Sequence, residues 1–179
     1  DFDAVADHAR TGGGPALRAL TFHQRAKILA DLAAYLPDRV DEPLAAHGAA
    51  GGTVVDARVD VEGGIAALAY YARRAPRELP DDTVILDGDT VRLSRGGTFV
   101  GQTIYTSRAG VALLINAFNF PVWGMLEKLA PALLAGLPVI VKPATATAPI
   151  AEMVFGQMIA SGALPPGAAQ FLAGSIGDL

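Results

Sequence analysis

Asn119 stands in the run Asn116-Ala117-Phe118-Asn119-Phe120-Pro121, directly after the apolar stretch Val111 to Ile115. Pro121 has a fixed φ and pushes Phe120 toward extended backbone, so the turn that carries Asn119 is stiff. A side-chain amide on a stiff turn is an aimed hydrogen-bond donor. Such a donor suits an oxyanion, where losing one costs on the order of 100 to 1,000-fold in rate. Asparagine is equally suited to capping a helix that begins at Pro121, and spacing alone leaves both roles open. Lys142 closes a second apolar run and is followed by Pro143, Ala144 and Thr145. Its ammonium is expected to emerge from the strand end, either toward a phosphate or ribose or into solvent. Gly174 and Ser175 follow a third apolar run.

Other chemistries are missing. Neither GxGxxG nor GxxxxGK[ST] occurs, so a bound nucleotide would need another arrangement. The 179 residues include no cysteine, which excludes disulfides and thiolate ligands and leaves the cytoplasm as the default compartment. His8, His23 and His47 fall on separate expected helices without ligand spacing. Each reads as a surface or capping residue, and no metal site is expected. Glu62 and Glu127 are the acids in motif-like surroundings; Glu127 reads first as a solvated helix acid, with a salt-bridge or gating role as the alternative.

The elements that would position these residues are legible from periodicity. Val111 to Ile115, Pro138 to Val141 and Gln170 to Leu172 read as strands, and Val122 to Ala135 and Pro149 to Ala160 as the helices between them. This βαβαβ order, with right-handed crossovers, predicts three parallel strands whose carboxyl ends, and hence the three loops above, share one edge. Upstream, Val84 to Leu86 and Val91 to Leu93 flank Asp87-Gly88, a hairpin-turn signal, and Phe99 to Tyr105 reads as a further strand. Such an antiparallel arm serves subunit contacts or simply extends the sheet. Further upstream, Thr21 to Gln24 fits a capping box ahead of an apolar face of Ile28, Leu29, Leu32 and Leu36. Asp56 is the expected cap of a second helix carrying Val59, Ile65, Leu68 and Ala72 and closed by Pro76. Gly12 to Gly14 reads as a flexible joint. The fold class is therefore α/β: a Rossmann-like parallel sheet with an N-terminal helical layer and an antiparallel strand arm. Its expected parts are 1–82, 83–109 and 110–179.

A hydrophobic content of 51% with 18% charge predicts a globular domain with a real core. Fourteen basic against 18 acidic residues give a net charge of −4, without the basic excess that nucleic-acid binding needs. The most apolar stretch, Leu129 to Val141, is broken by Pro131, Gly136 and Pro138 and falls short of a membrane span. Asp1 to Arg10 has acids where a signal peptide would have a basic patch.

Asn116 to Pro121, then Glu127-Lys128-Leu129-Ala130-Pro131-Ala132, Val139 to Ala144, and Leu164-Pro165-Pro166-Gly167 with Gly174 resemble, in order and spacing, the aldehyde dehydrogenase superfamily. Pro15 to Ala19, Val61 to Ile65, Arg77 to Thr83 and Lys142 to Ala148 resemble its PaaZ-type branch of bifunctional phenylacetate-degradation enzymes. The resemblance covers nearly the whole chain. It implies oxidation of a semialdehyde to an acid by a thiolate nucleophile, a general-base glutamate and a nicotinamide coenzyme. It implies that Asn119 stabilises the oxyanion and that Lys128 relays protons, unless Lys128 is an ordinary helix-surface lysine. Lys142 would contact the adenosine ribose, in a coenzyme site with Pro143, Ala144, Thr145, Gly174 and Ser175. Many NAD-using members have an acid soon after Lys-Pro; here Thr145 stands instead, which points to NADP, with NAD as the alternative. The implied substrate is a coenzyme A thioester semialdehyde, of the 3-oxo-5,6-dehydrosuberyl type in phenylacetate catabolism or the 3,4-dehydroadipyl type of benzoate pathways. The resemblance also implies a homo-oligomer, a fused hydratase-like domain, and a nucleophile and base beyond Leu179, so that the piece is inactive alone. A non-catalytic binding or assembly module is the reading from another class.

Overall fold

The computed structural model of the chain describes residues 2–174, so Ser175 lies outside the described residues. Its first part is helical: α1 (Phe2–His8), α2 (Gly14–Arg18), α3 (Phe22–Tyr35), α4 (Asp41–Ala49) and α5 (Val54–Glu78). The capping box at the start of α3 is complete. Gln24 N donates to Thr21 Oγ1 (3.2 Å) and Thr21 N donates to Gln24 Oε1 (2.9 Å). Ile28, Leu29, Leu32 and Leu36 are all buried, as their spacing predicts.

The start of α5 corrects the expectation for Asp56. Thr53 is the cap, accepting from Asp56 N at 3.1 Å, while the Asp56 carboxylate accepts from the Thr53 hydroxyl at 2.6 Å. Pro76 also lies inside the last turn rather than beyond it. Val59 is exposed, because the buried stripe runs through Ala57, Asp60, Val61, Gly64, Leu68, Ala72 and Ala75.

Gly12 to Gly14 is not a loose joint. Residues Ala9–Gly13 form a π-helical turn leading into α2, and a Cβ on Gly13 would lie 1.9 Å from the Gly167 carbonyl oxygen. Two backbone segments touch there, which only glycine allows.

The arm is formed by β1 (Val84–Arg92) and β2 (Val100–Thr106), paired antiparallel. Asp87-Gly88 is not its turn. Both halves of β1 pair with the one strand β2, so the register slips between Asp87 and Val91 and Gly88, at φ +72°, sits in a bulge. Gln102 covers that bulge, donating from Nε2 to the Gly88 carbonyl at 3.1 Å. The chain reverses later, where Gly97 N donates to Ser94 O (3.2 Å) and Phe99 N to Ser94 Oγ (3.1 Å).

The last part is the expected βαβαβ unit: β3 (Ala112–Ile115), α6 (Trp123–Leu134), β4 (Val139–Lys142), α7 (Ala148–Ala160) and β5 (Ala169–Phe171). The strands are parallel in the order β3-β4-β5, with Ile115 opposite Lys142 and Val141 opposite Phe171. Val139, Ile140 and Val141 of the central strand are buried. One core joins Leu32 and Leu68 of the helical layer to Leu126, Leu129 and Leu133 of α6 and Met158 of α7. Each such leucine contributes roughly 1.5–3 kcal/mol relative to exposure. The buried Arg25 ties α3 to the far end of α6, with Nη1 donating to Leu134 O (2.8 Å) and Ser107 Oγ (3.1 Å). Burial pushes its guanidinium below the usual value.

Candidate active site at the carboxyl edge of the parallel sheet

The loops after β3 and β4 meet as the topology requires. Asn116 N donates to Lys142 O at 3.0 Å, and Thr147 Oγ1 donates to the carbonyl of Phe118 at 3.1 Å, tying one loop to the other. Leu172 N donates to Val141 O at 2.9 Å, bringing the segment after β5, with Gly174, to the same edge.

The turn carrying Asn119 leads into α6, whose first amides need acceptors. Asp60 of α5 supplies them: Oδ1 accepts from Trp123 N (2.7 Å) and Oδ2 from Val122 N (3.1 Å). The helix start is thus capped from another helix, not by Asn119, which settles one of the two roles left open by its spacing. Asn119 instead lines a cleft of about 340 Å³ with His47, Gly51, Asp56, Phe118 and Thr147.

Asp60 is fully buried, and burial pushes its carboxyl above the ordinary 3.8, opposed by the two backbone amides and by His47. His47 Nε2 lies 2.9 Å from Asp60 Oδ2, and the histidine is itself buried. His47 is therefore neither a surface nor a helix-capping residue. Sequence reading missed Asp60, although its place on the stripe shared with Gly64 and Leu68 puts a carboxylate on a buried helix face, which demands a partner. His8 is exposed, and His23 Nε2 lies 2.9 Å from the Leu79 carbonyl at the end of α5. Glu127 is exposed. Among the described residues there is no group of three or more His, Asp or Glu side chains that could hold a metal ion, and no helix long and apolar enough to cross a membrane.

Lys128 Nζ donates to Asn116 Oδ1 at 3.0 Å, beside Gly124. Asn116 is buried and its Nδ2 has no protein partner, a donor held at the strand edge that the motif reading had not singled out. Lys142 is half-buried at the end of β4. Its Nζ donates back to the Pro143 carbonyl at 2.9 Å. Thr145 is exposed in the short 3-10 turn Thr145–Thr147, while Pro143 is buried. The structure brings Asn119 and Thr147 together at one cleft; Lys128 sits apart from it, paired to Asn116.

A sequence profile of the aldehyde dehydrogenase family matches residues 1–179. The chain belongs to the aldehyde dehydrogenase family. It is 43% identical to a 3,4-dehydroadipyl-CoA semialdehyde dehydrogenase of Aromatoleum evansii, over 100% of this chain and 35% of that protein. It is 32% identical to a D-glyceraldehyde dehydrogenase (NADP(+)) of Thermoplasma acidophilum, over 72% of this chain and 24% of that one. Among solved structures, the 1-pyrroline-5-carboxylate dehydrogenase of Thermus with bound NAD superposes with a TM-score of 0.73 at 25% identity, covering 97% of this chain and 32% of that chain. The α/β architecture is thus that of aldehyde dehydrogenases, and the chain spans about a quarter to a third of the length of these relatives.

Proposed function

We propose that this chain is the coenzyme-side part of an NAD(P)-dependent aldehyde dehydrogenase that oxidises a coenzyme A-linked semialdehyde from aromatic-ring degradation. The observation that carries the reading is the division of labour at the start of α6. Asp60 takes the helix amides, and the Asn119 amide is left facing a cleft. There its Nδ2 can donate to the oxygen of a bound aldehyde and hold the negative charge that builds on that oxygen, at no reorganisation cost because Pro121 has already stiffened the turn. Lys128, fixed by Asn116, offers an ammonium that can hand a proton to water and, once neutral, take one back. Parts 1–82, 83–109 and 110–179 form one coenzyme-binding domain in this reading.

The donor set at the sheet edge fits a dinucleotide. Lys142, Thr145 and Thr147 present an ammonium and two hydroxyls with no carboxylate between them, and the Asn116 Nδ2 is a buried donor still without an acceptor. Lys142, Pro143, Ala144, Thr145, Gly174 and Ser175 would hold it, and the nicotinamide supplies the hydride acceptor. The absence of an acid after Lys142 favours NADP, since nothing there repels a 2′-phosphate. Lys142, released from Pro143 O, would supply the matching positive charge.

The A. evansii relative, whose name gives 3,4-dehydroadipyl-CoA semialdehyde as its substrate, supports the coenzyme A-linked class. The quoted phenylacetate-branch motifs support the 3-oxo-5,6-dehydrosuberyl type within that class. The test is steady-state kinetics of the full-length enzyme with both semialdehydes and both coenzymes. Turnover of either semialdehyde with a higher kcat/KM for NADP is expected; a higher kcat/KM with NAD overturns the coenzyme assignment, and equal use of both substrates overturns the finer one.

A further inference from the structure

We infer that His47 and Asp60 form a positioning pair for Asn119, acting through the first turn of α6. The inference rests on the oxyanion reading of Asn119 above. The start of α6 has no cap of its own, since the residue at its cap position is Val122. Asp60 substitutes from α5, its two oxygens dividing the amides of Val122 and Trp123 between them. Asn119 is three residues from Val122, and the rigid Pro121 lies between them, so a shift of the Val122 amide is transmitted to Asn119 with little damping. Gly124 N, donating to the Phe120 carbonyl at 2.9 Å, locks the same turn from the other side.

The start of α6 packs closely on α5. A Cβ on Gly63 would lie 2.6 Å from the Trp123 ring, and one on Gly64 would lie 3.0 Å from Trp123 Cα. The helix start is therefore in close contact with α5, and the carboxylate fixes its register. A buried carboxylate needs a compensating partner to remain in this acceptor role. His47 of α4 is that partner, at 2.9 Å, and it lines the same cleft as Asn119. His47 contacts no reacting atom; it acts through Asp60.

The experiment compares His47→Leu, His47→Gln and Asn119→Ala in the full-length enzyme. His47→Leu is expected to lower kcat on the order of 10 to 100-fold, the cost of a misplaced catalytic group, while KM for aldehyde and coenzyme stays within about twofold. His47→Gln, whose amide can still donate to Asp60 Oδ2, is expected to recover most of kcat. Amide exchange at Val122 and Trp123 should quicken in His47→Leu and not in His47→Gln. Unchanged kcat in His47→Leu, or a loss that glutamine does not relieve, overturns the inference. Should His47→Leu fail to fold, Asp60→Asn, which keeps one acceptor oxygen, must show the same split between kcat and KM, and its absence overturns the inference equally. Undiminished kcat in Asn119→Ala defeats the oxyanion reading itself, whatever the His47 variants show.

Discussion

Under the proposed function, Asn119 and Asp60 divide two tasks, the oxyanion and the helix start. With Asp60 on the α6 amides, Asn119 is not needed for the helix, so Asn119→Ala should leave the melting temperature nearly unchanged. Under the proposed function it should lower kcat of the full-length enzyme on the order of 100 to 1,000-fold; thermal unfolding and steady-state kinetics on one preparation check both halves. Asp60 carries a stability signature of its own. Its carboxyl is raised in the folded state, chiefly by burial. The native state then holds the proton more tightly than the unfolded one, so this group's stabilisation is full below the ordinary value of 3.8 and declines as pH rises through the raised value. Asp60→Asn should remove that decline, flattening the melting temperature against pH in the range just above 3.8; an unaltered slope would contradict it. The two residues were not equally legible beforehand. The motif around Asn119 announced itself, whereas Asp60 looked like one more helix acid until the burial of its face and its amide partners more than sixty positions away were known, and His47 acquired its role only through Asp60.

Among the elements, the βαβαβ unit was readable because its apolar runs are separated by proline and glycine at nearly every strand and helix end. The arm was misread at Asp87-Gly88 because a glycine at positive φ serves a bulge as well as a turn. Long-range pairing with β2 decided between them. Gly12 to Gly14 was misread for a similar reason: glycine is needed for close approach as much as for flexibility, and the approaching partner, Gly167, is distant in sequence. The distinction is measurable. Gly13→Ala should destabilise the chain by about 1–3 kcal/mol, since the nearest obstacle is backbone. Gly156→Ala, in the exposed interior of α7 with nothing near its missing Cβ, should stabilise it by about 0.5–1 kcal/mol. Chemical denaturation of the two variants separates the roles, and equal effects would contradict this account.

At the scale of the whole molecule, large apolar side chains stay exposed in several places, two of them on strands. Leu86, Val91, Phe99 and Ile104 lie on the arm, and Leu113 and Ile115 on the edge strand β3. Self-association through the arm, one of the two uses the sequence left open for it, would cover the first group. Leu86→Lys with Ile104→Lys should therefore shift the full-length enzyme toward smaller species in analytical ultracentrifugation, while retention of the parent's mass would remove the arm from the interface. The central claim is that the Asn119 cleft serves a coenzyme A-linked semialdehyde. Coenzyme reduction by the full-length enzyme tests it most directly, with 3,4-dehydroadipyl-CoA semialdehyde and 3-oxo-5,6-dehydrosuberyl-CoA semialdehyde assayed beside glyceraldehyde. Efficient NADPH formation with a coenzyme A-linked substrate, abolished in Asn119→Ala, is the predicted result; turnover of glyceraldehyde alone, or turnover indifferent to Asn119, would contradict it.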